Sequence, residues 1–170
     1  LYPTLYPQWA DLPLTPPNVT FSDSMTIHLG KRPIELHFYG KAHTRGDIVV
    51  YLPTEGVLFA GDISFHKYIP NARDGFPVNW AHVAERVERI ECDVVVPGHG
   101  PVGTKRELTE MRECLELIVS QGQAKFAAGL SVDSARSVLD LGPFSGWGRQ
   151  EDRLPTFMAR LFAELNGDLP

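Results

Sequence analysis

The chain has 170 residues, of which 43% are hydrophobic and 22% charged, and its formal net charge is −5. These values are ordinary for one globular domain with a hydrophobic core. The acidic balance and the lack of a basic patch predict no nucleic-acid partner. No apolar run approaches the roughly 20 residues that a membrane-spanning helix needs, so no membrane partner is expected.

The two cysteines, Cys92 and Cys114, fit neither a disulfide framework nor a CxxC metal site, and buried free thiols are the preferred interpretation. The sequence has no signal-peptide pattern and starts at Leu1, which is either a processed end or an internal cut. The compartment is therefore undetermined, although the cytoplasm is favoured.

Prolines recur through residues 1–20, together with Trp9 and two tyrosines. Because proline removes a backbone donor and restricts the residue before it, this composition predicts an extended segment that packs over a neighbouring surface, as a lid beside a site would. From Phe21 the pattern changes to that of strands. The predicted strands cover residues 25–29, 34–39, 48–52, 57–60 and 93–96. The two unbroken apolar runs, 48–52 and 57–60, predict inner strands covered on both faces.

Helical patterns dominate the second half of the chain. Pro77 introduces the first predicted helix, and Thr104 with Glu107 matches the capping box of a second helix that ends near Gly129. A short helix over 131–139 and a last helix from about Asp152, stopped by Gly167, complete the set. Strands come first, then strand–helix alternation, then the C-terminal helices of residues 104–170. This order predicts an α/β sandwich.

Three potential metal ligands, His43, Asp62 and His99, each lie in a glycine-containing turn beside an apolar run. A catalytic divalent metal needs imidazole and carboxylate ligands on rigid supports, and loops at strand ends are where α/β proteins usually build their sites. A single loop histidine is usually not a ligand. Three candidates in the same context predict a metal site.

Three motifs appear in a characteristic order: Ala-His-Thr-x-Gly-Asp at 42–47, Leu-Phe-Ala-Gly-Asp at 58–62 and Val-Pro-Gly-His-Gly at 96–100. They resemble the second half of the metallo-β-lactamase superfamily, over about residues 21–103. The resemblance implies two divalent ions, zinc by expectation, with iron or manganese as alternatives. It also implies that His43 completes the shell of the first ion, that His99 binds the second, and that Asp62 bridges both as the catalytic ligand. Such ions lower the pKa of a shared water, whose hydroxide attacks a carbonyl or phosphoryl centre.

The leading motif of that superfamily, His-x-His-x-Asp-His, occurs nowhere in the sequence. The resemblance therefore implies a single domain over residues 1–170 that lacks the N-terminal half of the four-layer αββα sandwich. Three ligands that belong to two different ions make a poor site, so the chain alone is expected to be inactive. The missing half, or self-association through the exposed sheet, is the expected partner.

Neighbouring polar residues are assigned supporting roles. Asp47 is expected to hydrogen-bond the loop backbone or a ligand imidazole, with a plain turn residue as the alternative. Thr44 is expected to be a turn or hydrogen-bonding residue and not a catalyst. His66, Lys67 and Tyr68 follow the Asp62 turn and either line a substrate pocket or form an exposed loop.

The resulting functional prediction is a metal-dependent hydrolase. Asp62 stands where many true β-lactamases of this superfamily have a cysteine, which favours the glyoxalase II-like and lactonase-like branches and a small ester, thioester or lactone substrate. The alternative is a non-catalytic half-domain that binds a partner and retains its metal ligands as relics.

Overall fold

The computed structural model describes residues 12–13 and 15–169. The segment predicted as a lid lies largely outside this part of the chain, and its described residues form no helix or strand. The remainder is a mixed α/β structure with one five-stranded sheet, and the predicted fold class is confirmed. No helix among the described residues has both the length and the apolar character to cross a membrane.

The elements follow one another as predicted in type and order. The strands are β1 (Ser24–Leu29), β2 (Arg32–His37), β3 (Val49–Leu52), β4 (Val57–Phe65) and β5 (Val94–His99). The helices are α1 (Pro77–Glu88), α2 (Lys105–Ala127), α3 (Val132–Ser137) and α4 (Gln150–Asn166), with a 3₁₀ turn at Gly142–Phe144.

The sheet has the strand order β1-β2-β3-β4-β5, with antiparallel neighbours up to β4 and a parallel pair β4–β5. The β1–β2 turn is tight: Leu29 pairs with Arg32, and Gly30 adopts a left-handed φ of 63° that favours glycine. The parallel pair needs a crossover, which α1 supplies. This crossover brings the carboxyl ends of β4 and β5 side by side.

One face of the sheet is covered by α1 and α2. Leu58 of β4 and Val95 of β5, which are register partners, are fully buried there. Trp80 of α1 is also fully buried, and its indole Nε1 donates to the carbonyl of Ile63 at 3.0 Å. This hydrogen bond and the burial of Trp80 attach α1 to β4 near the end of the strand.

The opposite face is apolar and has no covering layer in the described part of the chain. One row of register partners crosses all five strands and contains only apolar side chains: Met25, Leu36, Val50, Phe59 and Val96. None of the five is buried, and Phe59 is 41% exposed. The prediction that 48–52 and 57–60 would be covered on both faces is therefore wrong for the described structure. Their inner position in the sheet is nevertheless correct.

Two strands run further than predicted. Residues 61–65 continue β4 and residues 97–99 continue β5, so Asp62 and His99 lie within strands and not in turns that follow them. Gly61 has a φ of 53°, and the β4–β5 register shifts on both sides of it. This irregularity is a bulge. It allows the strand to continue past Gly61, which the sequence pattern predicts to end the strand.

The C-terminal helices follow their sequence signals. The capping box of Thr104 and Glu107 is present at the start of α2, and Gly167 ends α4 in the left-handed conformation. α4 begins at Gln150, two residues before the predicted start.

Candidate metal centre

The structure brings His43, Asp62 and His99 together at the carboxyl ends of β4 and β5. The Nε2 atom of His43 lies 3.4 Å from Oδ2 of Asp62, and the Nε2 atom of His99 lies 3.5 Å from Oδ1. Each carboxylate oxygen therefore faces one imidazole nitrogen. Within the described residues, no three His, Cys, Asp or Glu side chains are grouped closely enough to hold one ion together.

The ring of His43 is oriented by a main-chain carbonyl. Its Nδ1 lies 2.6 Å from the carbonyl oxygen of Asn71, which can only accept a hydrogen bond. Nδ1 therefore carries the proton, and in the neutral ring Nε2 presents its lone pair to Asp62. Orientation of a metal-binding histidine through its other nitrogen is the usual arrangement in metalloproteins.

The spacing of these donors fits divalent ions. Both Nε2–oxygen distances exceed the 2.7–3.2 Å range of a normal hydrogen bond. Two ligands of a tetrahedral zinc ion, each about 2.0–2.1 Å from the metal, lie about 3.3 Å apart, close to the 3.4 and 3.5 Å found here. The donor set therefore fits a divalent ion that takes imidazole and carboxylate ligands.

Glycine at position 98 allows the carboxylate to sit where it does. A Cβ atom at Gly98 would lie 1.9 Å from Oδ1 of Asp62 and 2.8–2.9 Å from the backbone of residues 61–62. Gly100 is similarly close-packed, because a Cβ there would lie 2.0 Å from the carbonyl oxygen of His66. The Pro-Gly-His-Gly motif therefore holds β5 against β4 with no room for a side chain.

The buried ring of Phe65 packs against both imidazoles of the site. Its ring stacks on that of His99, with centroids 4.7 Å apart and planes inclined by 21°. The ring of His43 lies 5.7 Å from Phe65 and 5.5 Å from Trp80. Aromatic packing thus fixes both imidazoles, while Asp62 and His99 remain 36% and 49% exposed on the open side.

Thr44 and Asp47 shape the loop that carries His43. The carboxylate of Asp47 accepts hydrogen bonds from the backbone N–H of Thr44 at 2.6 Å and from its hydroxyl at 2.9 Å. Both residues therefore bond within the loop, and Asp47 has no hydrogen bond to an imidazole in the described structure.

The three residues predicted to line a pocket differ in position. His66 is only 1% exposed, and its Nδ1 donates to the carbonyl of Pro101 at 2.9 Å. Lys67 is exposed and pairs with Glu110 of α2. Tyr68 is 37% exposed. Their role in binding substrate stays a prediction.

Sequence reasoning missed several residues that shape this site. Asn71 contributes a main-chain carbonyl, which any residue has, so its side chain gave no signal. Phe65 resembled an ordinary core residue at the end of an apolar run. Arg153, in the first turn of α4, lies with its guanidinium 5.1 Å from the Phe65 ring centroid, and it is remote in sequence from all three motifs.

Fold and geometry together define an α/β protein with a pair of imidazole–carboxylate contacts at the ends of two parallel strands. The sequence profile of the Metallo-beta-lactamase superfamily matches residues 4–99. The chain belongs to this superfamily.

Individual relatives agree with that assignment. The chain is 34% identical over 110 residues to a metallo-beta-lactamase type 2 of Bacteroides fragilis, a match that covers 62% of this chain and 43% of the relative. It is 28% identical over 141 residues to a linear primary-alkylsulfatase of a Pseudomonas species, covering 75% of this chain and 26% of the relative. A solved metallo-beta-lactamase from Pontibacter korlensis superposes with a TM-score of 0.57 at 31% identity, covering 64% of this chain and 53% of that one.

The chain thus spans about half, or less, of the length of the relatives it matches. Neither this coverage nor the names of the relatives assign a branch, so the glyoxalase II-like and lactonase-like preference stays a prediction.

Proposed function

We propose that this chain is the C-terminal half of a metal-dependent hydrolase, in which His43 and His99 bind different divalent ions and Asp62 bridges the two. The observation that carries the proposal is the pairing of each Asp62 oxygen with one imidazole nitrogen, at 3.4 and 3.5 Å. Membership of the superfamily supports the hydrolase class.

Bound divalent ions would supply an electrophile and a water of lowered pKa for attack on a carbonyl centre. The chain's own residues supply the positions. Asn71 holds the His43 ring through Nδ1, Phe65 supports the His99 ring, and Gly98 leaves space for the Asp62 carboxylate. We infer a small ester, thioester or lactone as substrate, because a carboxylate and not a thiolate occupies position 62.

One apolar sheet face is left uncovered by the described residues, which supports the claim that a further half is needed. The row from Met25 to Val96 crosses five strands without a polar side chain, although soluble proteins rarely expose large contiguous apolar patches. A second sheet from an N-terminal half, carrying His-x-His-x-Asp-His, would cover this face and complete both ion shells. Either this half or a second copy of the chain is the partner that the face requires.

The test uses the complete protein, in which the chain is joined to such a half. We expect bound zinc, manganese or iron by elemental analysis, and chelator-sensitive turnover of a chromogenic ester or lactone. Asp62→Ala should remove both metal and turnover, and His99→Ala should reduce both. His82→Ala, at an exposed histidine of α1, is the matched control and should change neither. A complete protein without metal and without turnover refutes the proposal.

The same apolar face also fits the alternative function, a non-catalytic half-domain that binds a partner. Sedimentation of the 170-residue chain alone and mixed with the N-terminal half separates the two. Assembly with the half that restores neither metal nor turnover favours the binding module.

A further inference from the structure

Residues 71–79, which lead into α1 and form its first turn, make a hydrogen bond to each of three consecutive residues in the loop that carries His43. The pairs are Asn79 with Lys41, Phe76 with Ala42, and Asn71 with His43. In the first pair the side-chain amide donates to the loop carbonyl, and in the second the main-chain N–H does so at 2.8 Å. The position of the loop therefore depends on the position of residues 71–79.

Gly75 brings the two stretches of backbone into close contact. A Cβ atom at this position would lie 3.1 Å from the carbonyl oxygen of Ala42 and 3.4 Å from that of His43. No side chain separates the two backbones here, so a shift of residues 71–79 is passed directly to the loop that carries His43.

The start of α1 has no cap from its own sequence. Phe76, at the N-cap position, makes no side-chain hydrogen bond, Pro77 has no N–H, and the first turn contains no acidic residue. The N–H groups of Val78 and Asn79 donate instead to the carboxylate of Glu164 in α4, at 2.8 and 3.4 Å. A carboxylate in this place also interacts favourably with the helix dipole. The cap is therefore supplied by a residue 86 positions beyond Val78.

Arg160, one turn before Glu164 on α4, contacts the same stretch. Its Nε donates to the Gly75 carbonyl at 2.7 Å, and its guanidinium lies 5.5 Å from the centroid of the Phe76 ring. Burial raises the pKa of the Glu164 carboxyl, whereas its hydrogen bonds to α1 and the charge of Arg160 act in the opposite direction. Arg160 thus supports the charge of Glu164 and also holds the glycine that packs against the His43 loop.

We propose that Glu164 is a positioning residue for the candidate metal ligand His43. Its carboxylate fixes the first turn of α1, and residues 71–79 in turn fix the loop and the orientation of the His43 ring. The inference deepens the proposed function and rests on it for the role of His43 as a metal ligand. A helix near the C-terminal end of the chain, remote in sequence from all three motifs, thereby sets how firmly the ion at His43 is held.

The first test uses the complete protein without metal, because the contacts from Glu164 to the loop do not involve the ion. We expect Glu164→Ala to speed hydrogen exchange at the Phe76 N–H about fivefold relative to amides in α2, as the loss of a helix cap does. The NMR signal of the His43 Nδ1 proton should broaden as its contact with Asn71 loosens. Glu164→Gln keeps an oxygen that accepts from the same N–H groups and should restore most of both signals.

Asn79→Ala tests the same connection without a change in α4. Asn79 is exposed and alanine favours helix, so this variant is expected to fold, and it too should broaden the His43 Nδ1 signal. Ser131→Ala is the matched control, because it removes the cap of a different helix, α3, where the hydroxyl accepts from the Ser134 N–H at 3.3 Å. A parent-like His43 signal in Glu164→Ala or in Asn79→Ala, or equal broadening in Ser131→Ala, overturns the proposal.

Zinc affinity separates this inference from the proposed function. In competition with a chromophoric chelator, Glu164→Ala should bind zinc about tenfold more weakly than the parent, the lower end of the range for a disturbed supporting contact. Glu164→Gln should keep most of the affinity, and Ser131→Ala all of it. Equal affinity in the parent and Glu164→Ala contradicts the positioning role. Failure of the parent to bind zinc refutes the proposed metal centre, while the metal-free measurements still decide whether Glu164 positions His43.

Discussion

Replacing Gly98 with alanine tests how closely β5 and Asp62 are fitted. The new Cβ would lie 1.9 Å from Oδ1 of Asp62 and 2.8 Å from the carbonyl carbon of Gly61, and the latter is backbone that cannot rotate away. Since relaxed carbon contacts begin at about 3.5 Å, the carboxylate must withdraw by more than about 1 Å. Such overpacking costs about 1–3 kcal/mol of folding free energy.

The effect on the metal centre should be larger than the effect on stability. Metal sites hold their ligands within about 0.2 Å of ideal distances, so a displacement of about 1 Å at Asp62 should weaken metal binding in the complete protein by at least the 10- to 100-fold typical of a disturbed supporting contact. Zinc affinity is measured by competition with a chromophoric chelator, and folding by thermal denaturation. Gly46→Ala is the control, because a Cβ at Gly46 meets nothing within 4 Å. Parent-like zinc affinity in a folded Gly98→Ala protein would refute the reasoning.

Three further predictions concern the scaffold. Thr104→Ala removes the capping box of α2 and should lower the free energy of unfolding by about 1 kcal/mol in chemical denaturation; an unchanged midpoint contradicts the cap's contribution. Gly122→Ala would stabilise an isolated helix, yet its Cβ would lie 2.3 Å from Cδ2 of the buried Leu161, so we expect a net loss of about 1 kcal/mol, and a gain in stability contradicts the close packing of α2 on α4. Burial raises the pKa of Cys114 to about 12, so an unfolded thiol of pKa about 8.5 ionises first, and stability should fall as pH rises above about 8.5. Cys114→Ala should flatten that decline in denaturation curves between pH 8 and pH 10, and a parent-like slope in the variant contradicts the assignment.

Local signals in the sequence sufficed for the type and order of the elements. Thr104 and Glu107 cap a helix through contacts three residues apart, and Gly167 stops one through its own backbone conformation. Such features depend on neighbours along the chain, and sequence analysis recovers them.

Features that depend on the neighbouring strand were not recovered. Gly61 reads as a turn, because its left-handed φ suits one, but pairing with β5 on both sides of the bulge keeps the chain in β4. The sequence also could not predict which of the two sheet faces is buried. Val50 and Leu58 are both apolar, and only the position of the helices decides that Leu58 is buried and Val50 is not.

The same limit applies to the candidate site. His43, Asp62 and His99 carry side chains whose chemistry is visible in the sequence, and the structure places them together. The groups that orient them are a main-chain carbonyl at Asn71, a phenyl ring at Phe65 and the missing side chain of Gly98. None of these has a distinctive residue type, so spacing alone could not assign them roles.

The proposed two-ion site also predicts that metal affinity depends on a further half. A tetrahedral ion takes four ligands, whereas each imidazole–oxygen pair at Asp62 offers two. Asp62 and His99 are 36% and 49% exposed, so they are accessible to ligands from another part of the protein. Under the proposed function, one additional layer of chain would supply the remaining ligands and also cover the apolar sheet face. A half that covers the row from Met25 to Val96 without supplying ligands would leave the ions weakly held. Replacing the histidines of the His-x-His-x-Asp-His motif in that half should therefore weaken metal binding while the two sheets still pack together.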